Sequence, residues 1–175
     1  MYAINATTGI LTALTTPTVA TGNRHLAIAV HPAGTFAYVP NENSNTLSMY
    51  TINSTTGILT ALATPTVATA SSPVTIAIHP AGTFAYVTSE LSNTVSMYAI
   101  NAITGILTAL TTPTIATGSA PFSIAVNPAG TFAYVANYSG NTVSMYAINA
   151  TTGILTALTT PTVATGNAPV GIAFK

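Results

Sequence analysis

Four side chains of this 175-residue chain carry a formal charge at neutral pH: Arg24, Glu42, Glu90 and Lys175. The two glutamates lie 48 positions apart in similar sequence surroundings, and Arg24 is followed directly by His25. Paired carboxylates can transfer protons or hold Ca²⁺, and a guanidinium beside an imidazole can anchor an anionic group. Arg24, His25, Glu42 and Glu90 are therefore the candidates for catalysis. The alternative is that they are solvated positions in polar loops, and no assignment of catalytic roles follows from the sequence.

Two more histidines, His31 and His79, are also 48 positions apart, and Asn127 takes the same place in a third copy. A ring of imidazoles in an oligomer could ligate a metal ion. A histidine that precedes proline can equally cap a hairpin by hydrogen bonding, and asparagine suits that role. We predict no metal site and no cofactor, and His31 and His79 are the candidates should a metal bind.

The composition excludes several classes of function. Charged residues make up 2% of the chain, against about 25% in average soluble domains. Two cations cannot displace the counterions of a nucleic acid, so we predict no nucleic-acid partner. The chain has no cysteine and no aspartate, which excludes disulfides, thiolate metal sites and a Ser-His-Asp triad. No apolar run approaches the roughly 18 residues of a membrane span. The first residues lack the pattern of a signal peptide, so we expect a soluble protein of undefined compartment.

A repeat of 48 residues positions these side chains. Met-Tyr recurs at Met1, Met49, Met97 and Met145, and Pro-Ala-Gly-Thr-Phe-Ala-Tyr-Val recurs from Pro32, Pro80 and Pro128. Residues 1–23 are repeated letter for letter at 145–167. Self-similarity at a fixed period of this length predicts a repeat architecture.

One repeat divides into four short strands, which we name A to D. Residues 74–78 form an apolar, β-branched run typical of a buried strand A, and 83–87 form strand B. Residues 94–100 form strand C, and 107–111 form strand D, which we expect Pro113 to end. Four strands with hairpin turns predict a blade of an all-β propeller and exclude a helical repeat.

The repeats predict a single domain that forms a partial propeller ring of about 3.6 blades. Residues 1–22 supply strands C and D of a split blade, 23–70, 71–118 and 119–166 are full blades, and 167–175 supply strand A of another split blade. The prediction is fifteen strands in order.

Open ends of a propeller leave unpaired backbone groups and bare apolar faces. We therefore expect oligomerisation to close the ring, most simply as a homodimer with eight blade positions. Seven positions would require one hybrid blade to be lost. An open polymer is the second outcome, and a four-bladed monomer is the third.

Strands alternate in direction, so the D–A and B–C loops share one face of the propeller. These loops vary between repeats, whereas the loops of the other face are nearly uniform. The variable face is the predicted ligand-binding face, and its candidate residues are Arg24, His25, Glu42, Asn43, Glu90 and Tyr138.

The repeat resembles the YVTN and lactonase-type (6-phosphogluconolactonase-like) propeller family. The resemblance is carried by Tyr134-Val135-Ala136-Asn137, by 142–148 (Thr-Val-Ser-Met-Tyr-Ala-Ile) and by Thr152-Gly153-Ile154-Leu155. It implies chains that usually hold seven blades, some of which hydrolyse sugar lactones. This chain departs from the family in its few blades and in a turn aspartate replaced by Ala33, Ala81 and Ala129.

Near-identity of the blades favours a non-catalytic scaffold or binding module that self-assembles into a complete propeller. A tailored active site normally breaks symmetry, so we lean against an enzyme. The alternative is a lactonase-like hydrolase of sugar lactones with its site on the variable face. A third hypothesis is recognition of a small molecule, glycan or peptide by loops that include Tyr138.

Overall fold

The computed structural model describes residues 1–174, which fold into fourteen β-strands and one short 3-10 turn, Glu42–Ser44. The strands, in chain order, are β1 (Tyr2–Ile4), β2 (Leu11–Ala13), β3 (Ala29–Val30), β4 (Phe36–Asn41), β5 (Thr46–Ile52), β6 (Leu59–Ala68), β7 (Pro73–Ile78), β8 (Phe84–Ser89), β9 (Thr94–Ile100), β10 (Leu107–Ala116), β11 (Pro121–Val126), β12 (Phe132–Asn137), β13 (Thr142–Ile148) and β14 (Leu155–Ala164).

The strands form three four-stranded antiparallel sheets and one hairpin. The first blade is β3–β6, the second β7–β10 and the third β11–β14, each in chain order, and β1 pairs only with β2. The all-β class and the four-stranded blade are confirmed. Because neighbouring strands are antiparallel, the D–A and B–C loops lie on one face, as expected.

Two kinds of turn connect the strands of each blade on the uniform face. At the A–B turn, Gly82 has φ +73° and its N–H donates to the carbonyl of His79 over 2.8 Å. At the C–D turn, the side-chain oxygen of Asn101 accepts the N–H groups of Ile103 and Thr104. Asparagine and glycine suit these positions because one mimics a backbone acceptor and the other tolerates positive φ.

The hydrophobic core lies between the blades rather than within them. Between the first and second blades it holds Phe36, Tyr38 and Met49 on one side and Tyr98 and Leu107 on the other. The same set, moved along by 48 residues, fills the interface between the second and third blades. Burying each such side chain contributes about 1.5–3 kcal/mol, so most apolar stabilisation depends on a neighbouring blade.

Buried tyrosines tie neighbouring blades together. The hydroxyl of Tyr38 donates to the carbonyl of Gly105 over 2.9 Å, and that of Tyr98 donates to Ala68 over 2.7 Å. Burial raises the pKa of Tyr38 to about 12, and it raises the pKa of Tyr98 to about 12 despite an opposing hydrogen bond with Ser96. The neutral phenol is therefore the form that this fold stabilises.

Strand D differs from its prediction, because β10 does not end before Pro113 but continues to Ala116. Its pairing with β9 covers 107–109 and 114–116, with a register shift between Ala109 and Thr114. Pro113 lies in this irregular stretch of an outermost strand, where no ladder hydrogen bond needs its missing N–H. A proline in a strand sequence therefore marks a bulge here.

The two ends of the chain also differ from a regular blade. Residues 167–174 form no strand, so fourteen strands are present in the described chain rather than fifteen. A ladder needs a paired neighbour, and no strand of residues 1–174 pairs with this segment, although the ring of Phe174 packs against Tyr134 of β12. Lys175, the last residue of the predicted strand, lies outside the described residues. Strand β3 is reduced to two residues, and Leu26, Ile28 and Val30 around it are exposed.

No helix among residues 1–174 is long and apolar enough to cross a bilayer, since the helical element there is a three-residue turn.

Candidate functional site

A polar cavity of about 540 Å³ opens on the variable face between the first and second blades. Two kinds of loop contribute to it, the B–C loops and the D–A turns of the first and second blades. The B–C loop of the first blade supplies Glu42, Asn43 and Asn45, and the B–C loop of the second supplies Glu90 and Leu91. The two D–A turns supply the remaining walls, which are Arg24, Ser71 and Ser72.

The first blade places Arg24 against Glu42. One guanidinium nitrogen of Arg24 lies 2.6 Å from Oε1 of Glu42, and the backbone is joined in parallel by the N–H of Glu42 and the carbonyl of Arg24 at 3.0 Å. The Glu42 side chain is 8% exposed, whereas Arg24 is 61% exposed. Hydrogen bonds between charged groups are stronger than neutral ones, so Arg24 fixes the carboxylate while keeping donors free for a ligand.

The second oxygen of Glu42, Oε2, is buried and has no hydrogen-bond partner in the described chain. An unpaired buried acceptor is costly, and a hydrogen-bond donor brought to it would lower that cost. Arg24 itself has φ +54°, in the left-handed region, where L-residues cost about 1–2 kcal/mol. The same conformation recurs at Ser72 and Ala120, so it belongs to the D–A turn, and the unpaired Oε2 of Glu42 is the feature particular to this wall of the cavity.

Glu90 occupies the place in the second blade that Glu42 occupies in the first. Its N–H donates to the carbonyl of Ser72 over 2.8 Å, which anchors the loop as Arg24 anchors Glu42. Serine at position 72 offers no cation, and Glu90 forms no ion pair within residues 1–174. The two carboxylates thus differ: that of Glu42 is buried and ion-paired, and that of Glu90 is half-buried with no ion pair among residues 1–174.

The cavity collects every charged side chain of residues 1–174, namely Arg24, Glu42 and Glu90. No other side chain of residues 1–174 carries a formal charge. Two carboxylates and one guanidinium give the cavity a formal charge of −1, with a potential base, a fixed anion and a cluster of N–H donors.

The structure separates two of the predicted residues from this cavity. His25 lies in a different, apolar cleft of about 330 Å³ beside Leu26 and Tyr50, and its Nδ1 is 2.9 Å from Oγ1 of Thr21. Tyr138 belongs to the third blade, where its ring packs 5.9 Å from that of Phe122. The shared face was predicted, but a chain position does not reveal towards which blade a loop side chain turns.

His31 and His79 use both ring nitrogens within the protein. Nδ1 of His31 accepts the N–H of Ala33 over 3.1 Å, and Nε2 lies 3.0 Å from the carbonyl of Gly82 in the next blade. His79 repeats this arrangement with Gly130. Among residues 1–174, no three His, Cys, Asp or Glu side chains converge as metal ligands would.

Sequence reasoning missed a buried network beside the cavity, centred on Asn41. Its side-chain nitrogen donates to Thr46 at 3.1 Å and Ser48 at 2.9 Å, and its oxygen accepts the N–H of Gly22 at 2.9 Å. Asn137 makes the same two side-chain bonds in the third blade. The repeat alignment carried the signal, because asparagine and glycine occur together in these two blades.

Comparison with known proteins gives both a family and a set of similar folds. The family described as "Lactonase, 7-bladed beta-propeller" matches residues 1–174. A candidate 6-phosphogluconolactonase from Bacteroides fragilis has a similar fold, with a TM-score of 0.84 and 24% identity over 97% of this chain and 49% of that chain. No curated protein matches this sequence.

Two further solved structures share the fold. A protein from Lactobacillus plantarum has a TM-score of 0.84 and 24% identity over 97% of this chain and 50% of that chain. The periplasmic gluconolactonase of Pseudomonas aeruginosa has a TM-score of 0.78 and 22% identity over 92% and 47%, respectively. This chain therefore spans about half the length of these structures, and the likeness at such identity shows the fold.

Proposed function

Because the chain belongs to the lactonase family of seven-bladed β-propellers, we propose that it binds a sugar lactone in the polar cavity between the first and second blades and hydrolyses it there. The observation that carries the proposal is the meeting of Arg24, Glu42 and Glu90, the charged side chains of residues 1–174, in that one cavity. A volume of about 540 Å³ lies within the usual range for small-molecule sites, roughly 300–1,000 Å³.

Hydrolysis of a lactone requires a base for water and a cation for the developing oxyanion. Glu90 is the proposed base, since it is half-buried and forms no ion pair within residues 1–174. Water adds to the carbonyl carbon and passes its proton to Glu90. The resulting alkoxide accepts hydrogen bonds from Arg24, which Glu42 holds in place. The ring C–O bond then breaks, the leaving oxygen takes the proton from Glu90, and a hydroxy acid is released.

The non-catalytic scaffold was the leading hypothesis from sequence, and the lactone hydrolase was the alternative. Family membership and the similar folds named as gluconolactonases favour the alternative. The argument from symmetry also weakens, because the blades differ where the charges lie. Arg24 occurs in one blade, and Glu42 and Glu90 occur in two of the three.

The test is the hydrolysis of glucono-δ-lactone and its 6-phosphate, measured against the uncatalysed rate. General bases contribute about 10²–10⁴-fold, so Glu90→Gln should lower kcat about 100-fold or more with a smaller effect on KM. Glu42→Gln, which loosens Arg24, should lower kcat less. Tyr138→Phe is the control, because Tyr138 lies in a loop that does not line the cavity.

Equal rates for the parent protein and Glu90→Gln, or no turnover above background by either, would exclude this hydrolase and leave a binding module. Binding of the corresponding hydroxy acid, followed by calorimetry with the parent and with Arg24→Met, would then decide whether the cavity takes sugar acids at all.

A further inference from the structure

Contacts between neighbouring blades recur at fixed sequence separations. Tyr38 of the first blade donates to the carbonyl of Gly105 in the second, and Tyr86 of the second donates to Gly153 in the third. Phenylalanine two residues before each tyrosine covers the same turn. A Cβ placed on Gly105 would lie 2.3 Å from the ring of Phe36. This interface leaves no space above the C–D glycine.

Two further contacts cross each interface. The N–H of Leu107 lies 3.4 Å from Sδ of Met49, and the next pair along the chain, Leu155 and Met97, is 3.3 Å apart. In the opposite direction, the hydroxyl of Tyr146 donates to the carbonyl of Ala116 over 2.6 Å. Each blade therefore presents a leading face, with Phe, Tyr and Met, to the trailing face of the next.

The leading face of the third blade has no blade beside it in residues 1–174. Phe132 is 37% exposed, although its equivalents Phe36 and Phe84 are 6% and 8% exposed. Val163 on β14 is 50% exposed. The ring of Tyr134 packs 5.5 Å from Phe174, in the segment that follows β14.

The hairpin β1–β2 carries the matching trailing face, also bare. Tyr2, Ile4 and Leu11 are 62%, 71% and 59% exposed, whereas the equivalent residues of the third blade are at most 8% exposed. A Cβ placed on Gly9 would meet nothing within 4 Å, unlike one on Gly105. Two complementary half-interfaces are thus present on the same chain, at its opposite ends.

We propose that a second copy of these 175 residues docks head to tail on these two faces, so that two copies close one ring. The leading face of each copy would cover the β1–β2 hairpin of the other. Phe132 would lie over Gly9 of the other copy, and the hydroxyl of Tyr134 would donate to the carbonyl of that glycine. Met145 would face the N–H of Leu11, and Tyr2 would donate to the carbonyl of Ala164.

A second copy is the partner that these faces fit, because its surface repeats an interface already formed within the chain. Residues 1–23 have the same sequence as 145–167, which the second blade already binds through Tyr86 and Met97. None of the side chains placed in the new interface is charged, so docking desolvates no ion.

Symmetry fixes the size of the ring. A two-fold axis maps each blade onto another blade, so the number of positions must be even, and four positions per copy give eight. The seven blades of the family cannot be reached by a symmetric pair. Each shared position would hold residues 167–174 of one copy as strand A and β1–β2 of the other as strands C and D, with no strand B between them.

Native mass spectrometry and light scattering of the 175-residue protein test this proposal. The expected particle has twice the 17.6 kDa mass of one chain. Phe132→Ser should raise the dimer dissociation constant at least tenfold, whereas Ile103→Ser, which changes an exposed apolar side chain away from both faces, should leave it unchanged. A monomer at all concentrations, or a ladder of longer assemblies, would overturn the proposal.

Crosslinking tests the pairing without relying on a destabilising change. The chain has no cysteine, so Leu11→Cys and Met145→Cys each introduce a single thiol. A short bifunctional maleimide should link the two variants when they are mixed and should not link either variant alone. Links within one variant, or none in the mixture, would contradict the head-to-tail arrangement. The lactone site lies within one copy, so this outcome is independent of the hydrolysis assay.

Discussion

A pair of buried residues shows how closely this repeat is fitted. In the first and third blades, asparagine at 41 or 137 faces glycine at 22 or 118, and a Cβ on Gly22 would lie 2.5 Å from Cγ of Asn41. The second blade has Ser89 and Ala70 instead. There the hydroxyls of Ser89 and Thr94 are buried without partners. Serine is small enough to leave room for the methyl group of Ala70, but it does not form the hydrogen bonds that Asn41 forms in the first blade.

This pair gives the first prediction, a double-mutant cycle at positions 89 and 70. Ser89→Asn alone should destabilise the protein, because the amide meets the Cβ of Ala70. The double variant Ser89→Asn, Ala70→Gly should gain about 1–2 kcal/mol of unfolding free energy over the parent, since the unpaired Ser89 hydroxyl is removed and the new amide donates to the Thr94 hydroxyl, as Asn41 does to Thr46. Denaturant unfolding with Ala70→Gly as the second single variant measures the coupling. Additive effects would contradict it.

Residue-scale reasoning from sequence reached part of the site. The repeat placed Arg24, Glu42 and Glu90 on one face, and the structure places them in one cavity. The repeat could not show that His25 lies outside this cavity, because its ring turns into an apolar cleft beside Leu26 and Tyr50. Side-chain direction in a loop depends on such packing, whereas the face depends only on strand alternation.

Elements were easier to predict than their ends. The sequence predicts strand C at Thr94–Ile100, as the structure has it, because the flanking turns contain asparagine and glycine. Strand D was cut short at Pro113, since the rule against proline holds for paired positions and says nothing of a bulge in an edge strand. The sequence pattern thus predicts which segments form strands, whereas hydrogen bonding to the neighbouring strand determines where each strand ends.

The D–A turn yields a second prediction at the scale of elements. Ala120 has φ +52°, a left-handed conformation that costs an L-residue about 1–2 kcal/mol and glycine much less. Ala120→Gly should therefore raise the unfolding free energy by up to about 1 kcal/mol, after the entropy of the unfolded glycine is counted. Ala109→Gly in β10 is the matched control and should lower it by about 0.5–1 kcal/mol. A loss at both positions would refute the turn argument.

The β1–β2 hairpin supplies a third prediction. An isolated two-stranded hairpin is marginal in water, and its apolar side chains here are exposed. Amide hydrogen exchange should be fast in β1 and β2 for the Phe132→Ser variant and slow in the assembled parent, while β8 and β9 stay protected in both. Equal exchange of the hairpin in the two proteins would show that no second copy covers it.

At the scale of the whole molecule, tyrosines make stability depend on alkaline pH. The folded state raises the pKa of Tyr38 and Tyr98 from about 10 to about 12 by burial, and it raises that of Tyr86 and Tyr146 in the same direction. The folded state therefore binds these protons more tightly than the unfolded chain. The stabilisation is complete below about pH 10 and is lost as the pH rises towards 12.

The fourth prediction follows from that linkage. The unfolding free energy should be flat between pH 7 and 9.5 and should then fall, with Tyr38 alone contributing a loss on the order of 2–3 kcal/mol by pH 12. Urea titrations across this range measure it, with tyrosinate absorbance as a second readout. Tyr38→Phe should reduce the slope. An unfolding free energy that stays flat from pH 9.5 to 12 would contradict the linkage.

Contacts between blades join residues that are close in sequence, which affects how the gene can evolve. Within residues 1–174, hydrogen bonds between side chains and other blades join positions no more than 67 apart, and their partners recur every 48 residues. Unequal crossing-over can delete or insert one 48-codon repeat. The two blades that then become neighbours already have complementary contact residues. Such a gene can therefore change the number of blades in its protein one at a time while keeping every interface between blades.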